Sequence, residues 1–479
     1  MTGKTKIVLF NPPGSKIYIR DYYCSKVSKA YYYPQPVDLL MQSAYFEEEK
    51  YDLTVIDAIA EKKSLDEVIT QLENIQPEFI VGLLGSVSLK EDLLAYDSVK
   101  SALPQVKIAC SGDALLDNYE DKLKEYDWLD VIITNFYIDG AKQWFESFQN
   151  KSENQDSFRG VAYLKETSDS SMEFVFDAGK ISGKMEIPVP KQAAFKGNYR
   201  MPFANAEPIA TALTNYACPY PCTFCIMSTL PYATRTAESI IEELKYLKQN
   251  GYRFIYFSDQ TFFQSKAVTR EVLNWMVETD YGIDWMCFSR VDVVDEEDLK
   301  LMKSAGCRLI MFGVEWADNE RLEKYKKHYS VDQIRNTFAI SKRLGIKRLG
   351  TFLIGVPGQT KESIVNTVSF AKEIDTDYAS FNVAVPRSQT SFREEALEMG
   401  LIDDSLEVMD QSGDVVVMGN GVLTKDELYA LKKKAYRSFY FRPSYLMKRM
   451  FSIRSWTELK FHVLEGWYVF KSILRKQEE

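Results

Sequence analysis

Apolar runs and amphipathic stretches alternate along most of this chain. Residues 5–11, Thr-Lys-Ile-Val-Leu-Phe-Asn, form a short apolar run that stops at Pro12-Pro13-Gly14. Similar runs follow at residues 53–59, 79–84, 106–110 and 131–133. Between them, Pro36 to Glu49, Ser64 to Asn74 and Lys90 to Leu103 repeat apolar residues at helical spacing. Short strands alternating with helices predict a parallel, doubly wound sheet. Ligands of such sheets bind beyond the carboxyl ends of the strands. There the chain places small residues, Gly85, Ser86, Ser88, Ser111 and Gly112, which let a backbone come close to a large ligand.

The pattern changes at residues 149–187, which are polar and irregular apart from runs at Gly160 to Tyr163 and Met172 to Phe176. These read as a linker with a small hairpin. From Ile209 the strand–helix repeat resumes. Strands are predicted at 209–214, 254–257, 284–288, 309–312, 348–354 and 378–385, and helices at 238–250, 295–305, 331–344 and 362–374. Gly251, Gly306 and Gly345 punctuate helix ends. Six such units predict a partial (β/α)6 barrel, whose chemistry belongs at the strands' carboxyl ends. Residues 424–479 read as helical, with Thr424 as cap. The expected organisation is therefore α/β: an N-terminal doubly wound, Rossmann-like domain at 1–148, a linker at 149–200, a partial TIM-like barrel at 201–400 and a C-terminal helical domain at 401–479.

Composition narrows the function. The chain has 479 residues and a formal net charge of −9. An acidic balance argues against a general nucleic-acid binder, which carries a basic face. No apolar run is long enough to span a membrane, and the first residues read as a strand and not a secretory leader. The expected compartment is the reducing cytoplasm. Seven cysteines, an odd number, speak against a disulfide framework. Cys24, Cys110, Cys287 and Cys307 read as ordinary buried thiols.

The remaining three, Cys218, Cys222 and Cys225, stand as Cys-x-x-x-Cys-x-x-Cys. Three thiolates on one loop can hold three corners of a cubic iron–sulfur cluster, leaving one iron open to a small molecule. Four-cysteine clusters show a fourth ligand near the run, whereas Cys287 is 62 positions beyond Cys225. Zinc asks for two close pairs or a Cys/His set, and His328 and His462 are the only histidines. Spacing alone leaves zinc and unrelated buried thiols open as alternatives.

The triplet, with Phe224 just before its third cysteine, resembles the signature of the radical S-adenosylmethionine (radical SAM) superfamily. The resemblance implies a 4Fe-4S cluster on Cys218, Cys222 and Cys225, with S-adenosyl-L-methionine on the open iron, cleaved to a 5′-deoxyadenosyl radical. Strand-end residues follow in the family's order. Asp259 lies where relatives carry acidic residues near the amino group of SAM. Ser289 and Arg290 end the strand that faces its ribose and carboxylate, and an arginine fork suits a carboxylate. Glu315, in Gly-Val-Glu, resembles the family's Gly-x-Glu-Ser, with Trp316 in place of the serine. Gly355-Val356-Pro357-Gly358 resembles the turn near the adenine. Gln260 departs from a second acidic residue often found there.

A doubly wound domain before the triplet resembles the cobalamin-binding (class B methyltransferase-like) branch of that superfamily. Asn11-Pro12-Pro13, the Tyr33-Pro34-Gln35-Pro36 stretch and the strand ending at Asp57 carry the likeness. It implies cobalamin near Asn11, Pro12, Ser86, Ser88 and Gly112. No Asp-x-His-x-x-Gly loop is present, since no histidine precedes His328. Thr134 to Gly140 stands where many relatives carry a Gly-Glu-Gly-Glu-like turn.

These resemblances imply methyl transfer to an sp3 carbon that has no acidic proton. A radical generates the carbon centre that deprotonation cannot, and methylcobalamin supplies the methyl group. The alternatives are cyclisation, ring rearrangement or oxidation without methylation, a vestigial N-terminal domain, or a non-enzymatic sensor or carrier. The implied partners are a small-molecule or lipid substrate and an external flavodoxin- or ferredoxin-type electron donor. From Leu431 to Glu479, 12 basic and four acidic residues give 12 − 4 = +8, with Tyr, Phe and Trp interleaved. The plain expectation is helices covering the barrel; the second is peripheral membrane contact. Similar Tyr-x-Arg-Pro tails in relatives acting on lipids point the same way.

Overall fold

The computed structural model describes residues 3–28, 32–150, 157–167, 169–179, 183–406, 416–452 and 466–467. They form two compact units, one running to Tyr199 and one from Arg200 onward.

The first unit is built on a seven-stranded sheet. Its strands are β1 (Thr5–Asn11), β2 (Tyr51–Asp57), β3 (Phe79–Leu83), β4 (Lys107–Ser111), β5 (Val131–Ile133), β6 (Val161–Glu166) and β7 (Met172–Asp177), in the order β2-β1-β3-β4-β5-β6-β7. The first five are parallel. All of β3 is buried, as a central parallel strand covered on both faces must be. Helices Leu65–Ile75 and Leu89–Ala102 flank the sheet. The helix expected over Pro36 to Glu49 stops at Ser43. Glu47, Glu48 and Glu49 would place three like charges at the negative end of its dipole.

The hairpin read as part of a linker instead extends this sheet. β6 pairs antiparallel with β5, and β7 with β6. Without it, β5 would present an open edge.

Strand order reverses between β1 and β3, where such sheets open a crevice. Here Arg20 ties the strand ends together. Its guanidinium forms a fully buried ion pair with Asp92, with Nε donating to Asp92 Oδ2 at 2.9 Å and Ser88 Oγ at 3.1 Å. Nη1 donates to Asn11 Oδ1 at 2.9 Å and to the Pro12 carbonyl at 3.0 Å.

The second unit holds a six-stranded, wholly parallel sheet with neighbours in chain order. Its strands are β8 (Ile209–Ala212), β9 (Phe254–Phe257), β10 (Asp284–Ser289), β11 (Cys307–Glu315), β12 (Lys347–Ile354) and β13 (Tyr378–Val383). This is the order of an incomplete β/α barrel, and it brings six carboxyl ends to one rim. Connecting helices start at side-chain caps: Thr236, Asp295, Ser330 and Thr360 each accept a backbone N–H three residues on.

The barrel's last strand has an edge, and tyrosines cover it. The Ala379 and Phe381 N–H groups donate to the Tyr440 and Tyr436 hydroxyls at 3.0 and 3.2 Å. Both tyrosines lie on helix Lys425–Tyr440, which is followed by helix Pro443–Ser452. The rest of the expected helical tail, 453–465 and 468–479, lies outside the described residues.

Because the Arg20–Asp92 pair is buried, removing one partner strands a charge. Arg20→Met is expected to destabilise the first unit by about 3–5 kcal/mol, whereas Arg20→Met with Asp92→Leu regains most of that. Urea unfolding of the two variants checks both.

Candidate functional site

The cysteine loop leaves β8 and has little regular structure of its own. A single carboxylate oxygen anchors its start. Asp259 Oδ1, just past the end of β9, accepts from Thr214 N and Oγ1, both at 2.8 Å, and from Asn215 N at 2.6 Å. Asn215–Tyr216 then pairs antiparallel with Ala233–Arg235, closing the loop at its base. Inside it, Cys225 N donates to the Cys222 carbonyl at 3.1 Å, so two of the thiols flank a tight turn. Burial, and then the neighbouring Cys222, push the Cys225 thiol up to about 12. Among the described residues no three Cys, His, Asp or Glu side chains converge on one point as ligands of a single ion.

Asp259 is 0% exposed, and its second oxygen, Oδ2, has no hydrogen-bond partner. Burial raises this carboxyl to about 6. Two further buried atoms of the same neighbourhood lack partners, Asn215 Oδ1 and the Tyr232 hydroxyl. An acidic oxygen without a donor asks for a ligand N–H.

Arg290, at the end of β10, holds the far side of the loop. Nε and Nη2 grip Asp292 at 2.9 and 2.8 Å, and Nη2 also donates to the Lys327 carbonyl at 2.6 Å. Nη1 points to Cys222 Sγ at 3.6 Å. The guanidinium lies 3.6 Å from the ring centre of Tyr220, inside the cysteine loop. Burial works against its charge, but Asp292 outweighs burial and the net shift is upward.

Glu315, at the end of β11, forms a buried ion pair with Lys327 at 3.0 Å. The glutamate has a left-handed backbone, φ +63°, a strained conformation for a side-chain residue. Gly313 makes room for the pair: a Cβ there would stand 2.9 Å from Glu315 Oε1 and 3.3 Å from Lys327 Nζ. Lys327 also lies 5.5 Å from the Phe224 ring. Phe224 meets Trp316 edge-on at 5.8 Å, and Trp316 meets Tyr325 at 5.0 Å. The tryptophan that replaces the family's serine thus walls the loop with aromatic surface.

Ser289 turns inward, donating to the Phe262 carbonyl at 3.2 Å. Gly355, φ +83°, opens the turn after β12, and its N–H donates to Gln359 Oε1 at 2.7 Å. Buried Asn420 ties that turn from a distant segment, with Nδ2 donating to the Val356 carbonyl at 3.1 Å and the Gln359 carbonyl at 2.8 Å. Pro357 lies within this turn. The barrel therefore brings Cys218, Cys222, Cys225, Phe224, Asp259, Arg290 and Glu315 to one rim, with Ser289 directed into the protein. Lys327, Asp292, Tyr220 and Tyr232 belong to the same rim. Nothing in local spacing marks them, and Lys327 follows an adjacent lysine, Lys326.

In the first unit, Asn11, Pro12, Ser86, Ser88 and Gly112 do gather at the carboxyl ends of β1, β3 and β4. Most are engaged within the protein. Asn11 and Ser88 belong to the Arg20 network, with Asn11 also donating to Asp57 at 3.0 Å. Ser86 Oγ donates to Asp113 at 2.8 Å. Gly112 is glycine for a steric reason: its φ is +129°, and a Cβ would sit 2.2 Å from the Leu84 carbonyl. One buried atom here lacks a partner, Asp38 Oδ1, on a carboxyl that burial, with Asp21 nearby, holds well above its usual range. Ser111, ending β4, donates to its other oxygen at 2.5 Å.

Residues 213–371 match the family model of the Radical SAM superfamily. The chain is 27% identical over 410 residues to an uncharacterized methyltransferase of Pyrococcus horikoshii, covering 84% of this chain and 87% of that one. It is 22% identical over 410 residues to an anaerobic magnesium-protoporphyrin IX monomethyl ester cyclase of Cereibacter sphaeroides, covering 82% and 64%. Among solved structures, it superposes on the radical S-adenosylmethionine methyltransferase TsrM of Kitasatospora setae, with cobalamin and a [4Fe-4S] cluster bound, at a TM-score of 0.68 and 14% identity, covering 98% and 99%. Residues 213–371 therefore carry the likeness to the radical SAM superfamily, and over nearly its whole length the chain shares the fold of TsrM.

Proposed function

We propose that this protein is a cobalamin-dependent radical SAM enzyme that transfers a methyl group to an unactivated sp3 carbon. The observation that carries the reading is the pairing of a three-thiol loop with the orphaned Asp259 Oδ2 beside its anchor. The donor set fits the cofactors. Cys218, Cys222 and Cys225 would hold three irons, and Asp259 would accept the ammonium of SAM. The turn from Gly355 to Gly358 would line the adenine end, with Pro357 in it. The edge around Asn11, Pro12, Ser86, Ser88 and Gly112 would take cobalamin, where Asp38 supplies the orphaned buried atom that a polar group of the cofactor satisfies. When bound, the cluster supplies the electron that splits SAM into methionine and a hydrogen-abstracting radical, and methylcobalamin supplies the methyl group.

The protein's own work is placement and exclusion. Asp259 anchors the loop with one oxygen and offers the other to the ligand. Glu315 and Lys327 neutralise each other in a dry site. Phe224, Trp316 and Tyr325 keep water from the loop. The electron comes from a donor outside the chain, of flavodoxin or ferredoxin type.

The similarity to a ring-forming cyclase supports the second reading, radical chemistry without methylation. Anaerobically reconstituted protein given SAM with a labelled methyl group is expected to release 5′-deoxyadenosine and a product carrying the label. A product that loses hydrogen and gains no label overturns methyl transfer in favour of the second reading. Cys222→Ala is expected to abolish iron incorporation and 5′-deoxyadenosine formation together.

Asp259 gives a pH signature. Held near 6 in the fold, it keeps its proton where the unfolded chain, near about 3.9, has lost it. Its contribution to stability is thus complete below about pH 4, falls as pH rises to about 6 and stays low above. Asp259→Asn removes this slope, so the variant is expected to outlast the parent in urea at pH 7.5 by up to about 3 kcal/mol and to match it near pH 4. The same variant is expected to lose SAM affinity at least tenfold by calorimetry, since a charge-assisted hydrogen bond is lost.

We further infer that the partner of the C-terminal helix is an anionic bilayer surface. No helix of the described residues is long and apolar enough to cross a membrane. Helix Pro443–Ser452 instead grips the barrel through buried Tyr445 and through Arg449, which donates to the Tyr378 hydroxyl at 3.0 Å. Its opposite face exposes Leu446 (52%), Met447 (55%), Met450 (63%) and Phe451 (80%). From Leu431 to Ser452 there are seven lysines and arginines and no acid. An outward apolar stripe among cations matches an interfacial helix. The full chain is expected to sediment with phosphatidylglycerol vesicles at low salt and not with phosphatidylcholine vesicles, and Leu446→Ser with Phe451→Ser is expected to abolish this. Vesicle-independent self-association through the same residues would overturn it.

A further inference from the structure

Arg290 was expected to reach the carboxylate of SAM, but its surroundings assign it elsewhere. A carboxylate is best held by two parallel N–H groups of the guanidinium fork. Here that fork is occupied by Asp292, through Nε at 2.9 Å and Nη2 at 2.8 Å. Nη2 is shared again with the Lys327 carbonyl at 2.6 Å. One face of the plane is covered by Tyr220 at 3.6 Å, and Tyr329 lies 5.1 Å away. The nitrogen that meets no oxygen, Nη1, aims at Cys222 Sγ at 3.6 Å, within the range of an N–H···S hydrogen bond.

We propose that Arg290 is a positioning residue for the cluster, pinning the Cys222 thiolate and raising the reduction potential of the cluster it binds. The proposal rests on the reading that the three cysteines hold a 4Fe-4S cluster. Reduction adds one electron, taken from the external low-potential donor, to a group already carrying thiolate charge. A hydrogen bond to a ligand sulfur favours the reduced state. The arginine is immobile, so it does so without reorganising. Tyr220 and Cys222 belong to the same loop, so one side chain fixes two of its points against β10. Lys327 adds a second buried cation nearby, but its charge is balanced by Glu315 at 3.0 Å.

The test is an EPR-monitored redox titration of the anaerobically reconstituted full chain, with iron content and SAM affinity measured alongside. Arg290→Gln is expected to retain iron and bind SAM within about threefold of the parent. Its ratio of reduced to oxidised cluster at a fixed potential is expected to fall about tenfold, a shift of about 59 mV to lower potential for one electron. Arg290→Lys, which keeps the charge and loses the fork, is expected to fall between. Arg290→Lys carries the test if Arg290→Gln does not fold. An unchanged midpoint with SAM affinity lost overturns the proposal and returns Arg290 to the SAM carboxylate. An unchanged midpoint with SAM affinity kept overturns it too. A parent protein that takes up no iron sinks the cluster reading itself, a failure visible before any variant is compared.

Discussion

The cysteine loop is too irregular to hold its own shape and depends on one carboxylate, Asp259. Three donors from Thr214 and Asn215 converge on Asp259 Oδ1, tying the loop's origin to the next strand of the barrel. The other oxygen is left buried and unsatisfied. Burying a carboxylate costs free energy unless something compensates, and within the protein only half of the group is compensated.

The rest of the rim repeats that logic. Charges are buried, but each is answered: Arg290 by Asp292 and Lys327 by Glu315, as Arg20 is by Asp92 within the first unit. Paired charges in a dry site fix geometry because breaking a pair is expensive. Glu315 carries an extra cost in its left-handed backbone. Strain of this kind gathers at functional sites, and here it aims the carboxylate at Lys327 while Gly313 clears the space. Aromatic rings of Phe224, Trp316 and Tyr325 do the complementary job of excluding water.

The two sheets solve the same topological problem differently. In the first, strand order reverses beside β1, and the Arg20 network ties the strand ends together there. In the second, six strands follow one another in order, so every carboxyl end contributes to one rim. The open flank is then closed by side chains rather than by another strand, with the Tyr436 and Tyr440 hydroxyls taking the backbone donors of β13.

Much of this was written in local sequence. Apolar runs of strand length alternating with amphipathic helices carried the two α/β units, because a parallel strand covered on both faces has no alternative to a continuous apolar run. The cysteine spacing carried the three-thiol loop, because Cys218, Cys222 and Cys225 lie within one short stretch. Asp259, Arg290 and Glu315 were legible as strand-end residues of a known order. Tertiary structure decided what pairing and burial control. It joined the hairpin to the first sheet, because only in space does β5 present an edge. It set the Arg290 fork against Asp292, two residues on, and against the Lys327 carbonyl, brought in from another loop, with Nη1 toward Cys222. It brought Lys327 and Tyr232 to the rim, though neither carries a local mark. A sequence states which groups are present; which of them remain unsatisfied, and so await a ligand, is settled only when the chain has closed around them.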